Sequence, residues 1–253
     1  MGVTKKEINT ELSIKRLNQH SLKLRMIGRT PLYFNSMSAK AQRDLLIGAK
    51  KKTAAEKQLI KHNPENEFRS SMHTQETGDT LLCFPAMGVK GAMATAALET
   101  DGIKKTTVQR LIFLPQENIN IWGTPYLKMD VVKSADMNRT PDVRTRAYLP
   151  NWCAEITIEY VSPALNPHSV VSLLSNAGTI IGLGDFRQEK GRGSYGTFDV
   201  FDSESDNEVW DEITKENREV QQAAWDEPVA HDRGTRELMQ EIIHERMRRD
   251  EAA

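Results

Sequence analysis

Cysteine is scarce in this chain: its 253 residues include only Cys83 and Cys153, both within apolar stretches. Two isolated cysteines provide neither a disulfide framework nor the paired spacing of a zinc site, so we expect two buried free thiols. The opening residues MGVTKKEINTELSIKR lack the apolar core of a signal peptide. No run of about eighteen apolar residues is present, which argues against a membrane-spanning helix. The expected location is therefore a reducing cytoplasm.

Catalytic signatures are also few. None of the six histidines stands in an H-x-x-x-H frame, and the chain has no P-loop or nucleophile elbow. The letters GRGSYG at 191–196 satisfy G-x-G-x-x-G, but a predicted helix precedes them and a predicted strand follows. A dinucleotide site needs the reverse order. We therefore predict no cofactor, no metal site and no catalytic residue.

Charge is unevenly distributed along the chain. Residues 203–253 hold 15 of the 35 acidic and 7 of the 34 basic residues, a net charge of −8, while residues 1–202 have a net charge of +7. The composition changes at SESDNE, and two amphipathic helices are predicted at 208–225 and 235–249. We expect an acidic tail that contacts either its own basic body or a neighbouring subunit, and the first is favoured.

Residues 166–201 predict a helix, a glycine-rich loop and a strand. Asn166 and Pro167 suit the first turn of a helix, and cations stand among the following glycines. Glycine lets a backbone approach a ligand closely, and such a loop can cradle phosphates. The candidate contacts here are Arg187, Lys190, Gly191, Arg192 and Gly193. The alternative is a flexible surface connection.

A second motif, FPAMGVKGAMATAALE at 84–99, predicts a strand end, a turn and a small-residue helix that presents Lys90. The alternative is a tightly packed helix with a solvated lysine. A basic helix is predicted at 37–62 with a possible break at Gly48, and its Lys50, Lys51 and Lys52 form either a solvated face or a phosphate-facing surface.

The remaining chain predicts strands at 22–26, 80–84, 107–114, 118–122, 126–132 and 152–160, the last with the clearest alternation. Residues 1–20 are expected to form a mobile arm and 63–79 a polar connection. Residues 134–150 are predicted as a polar loop that carries Arg139, Arg144 and Arg146. Of the 16 aromatic residues, Tyr148 and Phe186 are the rings most expected at the surface.

Both motifs resemble those of the RAMP (repeat-associated mysterious protein) superfamily, in particular the RNA-binding backbone subunits of CRISPR effector complexes. Those subunits carry a pattern I-P-G-S-S-hydrophobic-K-G-A-hydrophobic, matched here by Phe84 to Met93, where Ala86 and Met87 replace the usual glycine and serine. They also carry a small-residue helix with a glycine-rich loop, like IGLGDFRQEKGRGSYGTF here. The similarity spans residues 20–202 and extends to stand-alone relatives in bacteriophages.

The resemblance implies an α+β fold: a ferredoxin-like (RRM-like) βαββαβ palm at 21–202, with inserted helical and loop subdomains at 33–79 and 134–150. It would follow the arm at 1–20 and precede the helical tail at 203–253. It also implies a homo-oligomer stacked along single-stranded RNA or DNA, of which RNA is favoured, in a bacterial or phage-infected cell. The lysine motif and glycine loop would contact the nucleic-acid backbone.

Three functions follow as hypotheses. The favoured one is a non-catalytic binder of single-stranded nucleic acid that oligomerises into a filament or ring. The second is a metal-independent endoribonuclease that uses His20 or His73 as general base, as some members of the resembled superfamily do. The third is a phage protein-interaction module that mimics or blocks a CRISPR subunit.

Overall fold

The structure, a computed structural model, describes residues 16–48, 62–99, 103–133, 141–190, 193–204 and 207–250. These residues form a mixed α+β protein with two antiparallel sheets. The α+β prediction is thereby confirmed.

The larger sheet has the order β3-β5-β8-β1-β9, with β4 also on β8. Its strands are β1 (Asn18–Gly28), β3 (Cys83–Pro85), β4 (Ile112–Phe113), β5 (Asn118–Trp122), β8 (Cys153–Ser162) and β9 (Phe198–Asp202). Strand β8 has the predicted alternation, since Ile156 and Ile158 are buried while Glu155 and Thr157 are partly exposed. Residues 18–20, predicted as part of the arm at 1–20, belong to β1, which pairs with β8 from Asn18 onward, while 1–15 lie outside the described residues.

Two helices cover the inner face of this sheet: α3 (Ala86–Ala96) and α5 (Pro167–Asn176). Both were predicted from the sequence. The Asn166 side chain accepts a hydrogen bond from the Ser169 backbone N–H at 2.8 Å, which caps α5 as expected. A π-helical turn at Ala177–Ile181 extends α5 and ends at Gly182. Val89, Met93, Leu174 and Phe198 belong to one core cluster, so both sequence motifs pack against the same sheet.

The smaller sheet has the order β2-β7-β6 and consists of β2 (Leu32–Tyr33), β6 (Tyr126–Lys133) and β7 (Pro141–Leu149). The loop predicted at 134–150 is therefore wrong for 141–149, while 134–140 lie outside the described residues. The strand forms because Ala147 and Leu149 join the core on one face while polar residues alternate on the other.

Two other predictions are corrected. The connection predicted at 63–79 contains α2 (Pro64–Ser71), which Asn63 caps, and the first part of the strand predicted at 107–114 is α4 (Lys105–Leu111). Helix α1 (Ala39–Ile47) ends at Gly48, where the sequence predicted a break; residues 49–61 lie outside the described residues.

The acidic tail folds onto the body as α6 (Glu208–Ile213), α7 (Arg218–Asp226) and α8 (Arg233–Asp250). The helix predicted at 208–225 is thus two helices, and the second predicted helix is confirmed. Trp210 and Ile213 pack against Ile27 and Cys153 on the outer face of the larger sheet. Cys83 and Cys153 are buried free thiols, as predicted. None of the helices within the described ranges has the length and apolar character needed to cross a bilayer.

Candidate nucleic-acid interface

The outward face of the smaller sheet alternates rings and charges. Tyr126 pairs with Tyr148, Lys128 with Arg146, and Asp130 with Arg144 across β6 and β7. Strand residues two apart share a face, so these side chains form one surface, which Tyr33 of β2 extends next to Tyr148. We refer to it as the Tyr–Arg face, made of Tyr33, Tyr126, Lys128, Asp130, Arg144, Arg146 and Tyr148.

The glycine-rich loop lies against this face. The ring centroids of Tyr195 and Phe186 are 4.9 Å and 5.4 Å from that of Tyr33, and the Phe186 ring lies 4.5 Å from the guanidinium carbon of Arg146. Arg187 forms a backbone bridge with Tyr195. The structure thus brings together Arg144, Arg146 and the loop, three parts of the sequence-predicted site.

Close chain packing accounts for the loop's glycines. Gly184 has φ +76° and Gly196 has φ +71°, a region that side chains rarely adopt. A Cβ on Gly193 would lie 1.6 Å from the Phe186 carbonyl oxygen, and one on Gly196 would lie 1.9 Å from that of Leu183. These glycines allow the loop to fold on itself, so their presence does not by itself require a ligand.

Arg146 is the buried centre of the face, with only 4% of its surface exposed. One guanidinium nitrogen, Nη2, lies 3.2 Å from Oδ2 of Asp185, whereas Nε and Nη1 have no hydrogen-bond partner within the described part of the chain. Burial lowers the pKa of Arg146, an effect that Asp185 opposes. The Arg146 side chain is therefore part of the packing beneath the face and not of its exposed surface.

Two arginines of the predicted site remain reachable from solvent. Arg144 is exposed and forms no ion pair with another described residue. Arg187 is partly exposed, and its Nε lies 2.9 Å from Oε2 of Glu189. A partner with phosphate groups could therefore reach both guanidinium groups.

Two clefts flank the loop and share Asn35. The first, which we term the loop cleft, has a volume of about 300 Å³ and is lined by Asn35, His73, Phe84, Gly184, Asp185 and Arg187. It joins the start of the Lys90 motif to the glycine loop. Burial lowers the pKa of His73, so its imidazole is neutral at pH 7.

The second, which we term the edge cleft, has a volume of about 370 Å³. Its wall includes Asn35, Ser38, His62, Glu67, Ser70, Asp142, Arg144, Thr145 and Arg146. His62 lies 3.0 Å from Glu67 and 3.5 Å from Asp142, so the acidic side chains of this cleft face an imidazole.

The other predicted contacts are not gathered at this place. Lys90 lines neither cleft, and its ammonium lies 5.5 Å from the ring centroid of Phe113. Lys190 ends a short 3-10 turn, and its side chain is outside the described set. Six predicted contacts lie outside the described residues: Lys50, Lys51, Lys52, Arg139, Gly191 and Arg192.

Sequence reasoning missed several members of the face. Tyr126 and Lys128 stand at alternate positions of a correctly predicted strand, which was the available signal. Nothing local marked His231, whose ring centroid lies 4.3 Å from that of Tyr148 and whose pKa is lowered by burial and by Lys128. The expectation of an exposed Tyr148 is wrong, since only 8% of it is exposed, while Phe186 is half-buried.

The outer face of the larger sheet has a different electrostatic character. Lys23 lies 2.7 Å from Glu155, Arg25 lies 3.9 Å from the same carboxylate, and Arg29 pairs with Asp199. The Arg25 guanidinium also stacks 4.7 Å from the Trp210 ring. Its cations are therefore already compensated within the protein.

Among the residues that the structure describes, no group of three or more histidine, cysteine, aspartate or glutamate side chains could hold a metal ion. Comparison with known proteins adds no family assignment: no protein-family model matches the chain, and no curated protein matches it significantly.

Proposed function

We propose that this protein is a non-catalytic binder of single-stranded nucleic acid, with RNA as the favoured ligand. The Tyr–Arg face with its two clefts is the proposed contact surface. The observation that carries the proposal is the interleaving of tyrosine rings with arginine and lysine side chains on one sheet face. Cations bind the phosphate backbone, and aromatic rings stack on unpaired bases. Tyr33 and Tyr148 are buried, so Tyr126 is the tyrosine of this face that is available for stacking.

The strand order supports the proposal of a ferredoxin-like palm of the RAMP type. In the order β5-β8-β1-β9, each strand is antiparallel to its neighbours. Helix α3 lies between β1 and β5 in the chain, and α5 lies between β8 and β9. A βαββαβ palm has this arrangement of two crossover helices.

An exposed apolar surface supports the proposed homo-oligomer. Leu45, Leu46 and Ile47 at the end of α1 are 76%, 84% and 58% exposed. Adjacent exposed large apolar side chains are typical of protein contact sites. We propose that this end of α1 meets a second copy of the chain.

The tail supports a role within its own subunit. Asp232 lies 3.4 Å from the Lys128 ammonium of the Tyr–Arg face, and His231 packs on Tyr148. The tail thus contacts part of its own basic surface while Arg144 stays exposed. The buried free thiols fit the proposed cytoplasmic location.

One observation favours the endoribonuclease as a second candidate. His73 lines the loop cleft together with Arg187 and Asn35. An imidazole that is neutral at pH 7 can accept a proton from a ribose 2′-hydroxyl, and a nearby guanidinium can stabilise a phosphorane. His20, the other predicted base, is exposed and stacks on Tyr160 instead.

The test is size-exclusion chromatography with light scattering on protein purified without nuclease, with absorbance read at two wavelengths for protein and nucleic acid. An assembly that carries nucleic acid, or free protein that binds an added single strand intact in EDTA, supports the binder. Cleavage in EDTA that disappears in His73→Gln supports the nuclease. A protein that ignores both RNA and DNA contradicts both and favours the interaction module.

A further inference from the structure

The edge cleft runs along an unpaired edge of β7. Strand β6 covers one side of β7, but on the other side β2 reaches only Tyr148 and Leu149. Ala147 bonds outward on that side, since its N–H donates to Ser71 Oγ at 2.9 Å and its carbonyl accepts from Phe34 at 3.0 Å. Along an antiparallel strand, the backbone N–H groups of every second residue point to the same edge. The N–H of Thr145 therefore points to this edge, like that of Ala147.

Two buried side chains on the wall of the cleft have polar atoms without partners. Thr145 is 5% exposed and its Oγ1 has no hydrogen-bond partner among the described residues; Arg146 is 4% exposed and, among the same residues, lacks partners at Nε and Nη1. Buried polar groups are nearly always satisfied, and an exception calls for an explanation. Both residues line the same cleft. Neighbouring groups cover their unpartnered atoms, so one ligand at this edge satisfies both only if side chains there move aside.

The described wall of the cleft carries two guanidinium groups, which can bind a phosphate, and two carboxylates. Arg144 lines it, is exposed and forms no ion pair with a described residue. The two carboxylates of the wall, Glu67 and Asp142, both lie against His62. Arg146 contributes a second guanidinium, which pairs with Asp185 and also interacts electrostatically with Asp130.

We propose that the edge cleft binds one phosphate group. The Arg144 guanidinium, the Thr145 hydroxyl and the Thr145 backbone N–H hold its oxygens, and the charge of Arg146 stabilises it from the wall. Where the phosphate belongs to a single strand, the inference rests on the proposed function. A free phosphate or a mononucleotide offers the same chemistry.

Thermal unfolding of the full chain with increasing inorganic phosphate, at constant ionic strength, tests the site. A ligand that binds only the folded state raises the midpoint Tm by mass action. We expect Tm to rise with phosphate in the wild type. In Arg144→Gln the rise in Tm should be smaller, by an amount that corresponds to roughly tenfold or more weaker phosphate binding.

Thr145→Val separates binding from folding. Without phosphate it should raise Tm, because it removes an unsatisfied buried hydroxyl, yet it should reduce the response to phosphate. Thr80→Val is the matched control: Thr80 is fully buried, but its hydroxyl donates to the Leu82 carbonyl at 2.7 Å. That variant should lower Tm and keep the full phosphate response.

Binding of a fluorescent single strand to the same variants distinguishes the source of the phosphate. Weaker strand binding in Arg144→Gln and Thr145→Val, with competition by inorganic phosphate, supports a strand phosphate in the cleft. A reduced phosphate response with unchanged strand binding supports a free phosphate and places strand binding elsewhere. No response of the wild type to phosphate, or equal responses in both variants and the wild type, overturns the proposal.

Discussion

The two sheets of this protein present polar outer faces that differ in how their cations are compensated. On the larger sheet, Lys23 and Arg25 share Glu155, Arg29 pairs with Asp199, and Trp210 of the tail covers part of the surface. On the smaller sheet, Arg144 stands opposite Asp130 but forms no ion pair with another described residue, and Arg146 pairs with Asp185.

The difference separates structural charge from charge that is available to a ligand. Exposed ion pairs stabilise a fold only slightly, but they neutralise a surface. A face that carries an exposed guanidinium without an ion pair among the described residues, together with the partly exposed ring of Tyr126, can contact phosphates and bases. We therefore propose the Tyr–Arg face as the binding surface and not the outer face of the larger sheet, although the latter carries as many cations among the described residues.

The largest effect is expected from a variant that disrupts the loop packed on the Tyr–Arg face. Gly196→Ala places a Cβ 1.9 Å from the Leu183 carbonyl oxygen at φ +71°. We expect it to lower the free energy of unfolding by about 3 kcal/mol or more, measured by chemical denaturation.

Gly91→Ala is the control, because a Cβ there meets no atom within 4 Å and the residue lies in helix α3. Alanine should be neutral or raise the free energy of unfolding by up to about 1 kcal/mol. Equal losses in the two variants would contradict the account of the loop.

The next variant tests whether the tail is part of the fold. The fully buried Gln221 accepts hydrogen bonds from the backbone N–H groups of Leu81 and Leu82 and donates to the carbonyls of Ile121 and Gly123. Gln221→Leu leaves these four groups unsatisfied and should lower the free energy of unfolding by about 2–5 kcal/mol.

Its exposed neighbour offers the matched control, since Gln222 bonds only to Asp226 within the same helix. Gln222→Leu should change stability by less than about 0.5 kcal/mol. A tail that can be removed or loosened without loss of stability would show that it is an independent appendage.

The sequence predicted some elements of the fold correctly and missed others. Helix α5 was predictable because Asn166 and Pro167 mark its start, and β8 because its residues alternate. The same local signals were present but missed elsewhere: Asn63-Pro64 marks the start of α2, and Ala147 and Leu149 alternate with Arg146 and Tyr148 in β7.

The candidate site was predictable only in pieces. Arg144, Arg146 and Arg187 were found as cations in polar segments, but their burial and pairing depend on chain segments far apart. Asp185 compensates Arg146 across the fold, and His231 of the tail packs on Tyr148. Such non-local contacts leave no local pattern in the sequence. Lys90, the lysine of the second motif, lies against Phe113 instead.

A substitution of Tyr126 tests whether a base stacks on the Tyr–Arg face. Tyr126 is the partly exposed ring of the Tyr–Arg face. Tyr126→Leu should weaken single-strand binding by about 1–3 kcal/mol if a base stacks there, as measured by fluorescence anisotropy. Phe113→Leu changes another exposed ring, outside both clefts, and should leave the affinity unchanged; the opposite ranking would move the site toward Lys90.

A smaller effect is expected from pH. Burial, and next Lys128, lower the pKa of His231 below its usual value of 6.5. Below about pH 6.5 the unfolded chain therefore binds more protons than the folded one, and stability falls as the pH drops. His231→Gln should reduce that fall in denaturation experiments. An unchanged pH profile in His231→Gln would rule out its contribution.

The most direct test is the salt dependence of single-strand binding in two charge-matched variants, Arg144→Gln and Lys23→Gln. Each phosphate contact contributes about 0.7 to the slope of log affinity against log salt for a single strand. We predict that Arg144→Gln reduces the slope by about this amount, while Lys23→Gln, which breaks a compensated pair, leaves it unchanged. Equal reductions, or a reduction in Lys23→Gln alone, would contradict the assignment of binding to the Tyr–Arg face.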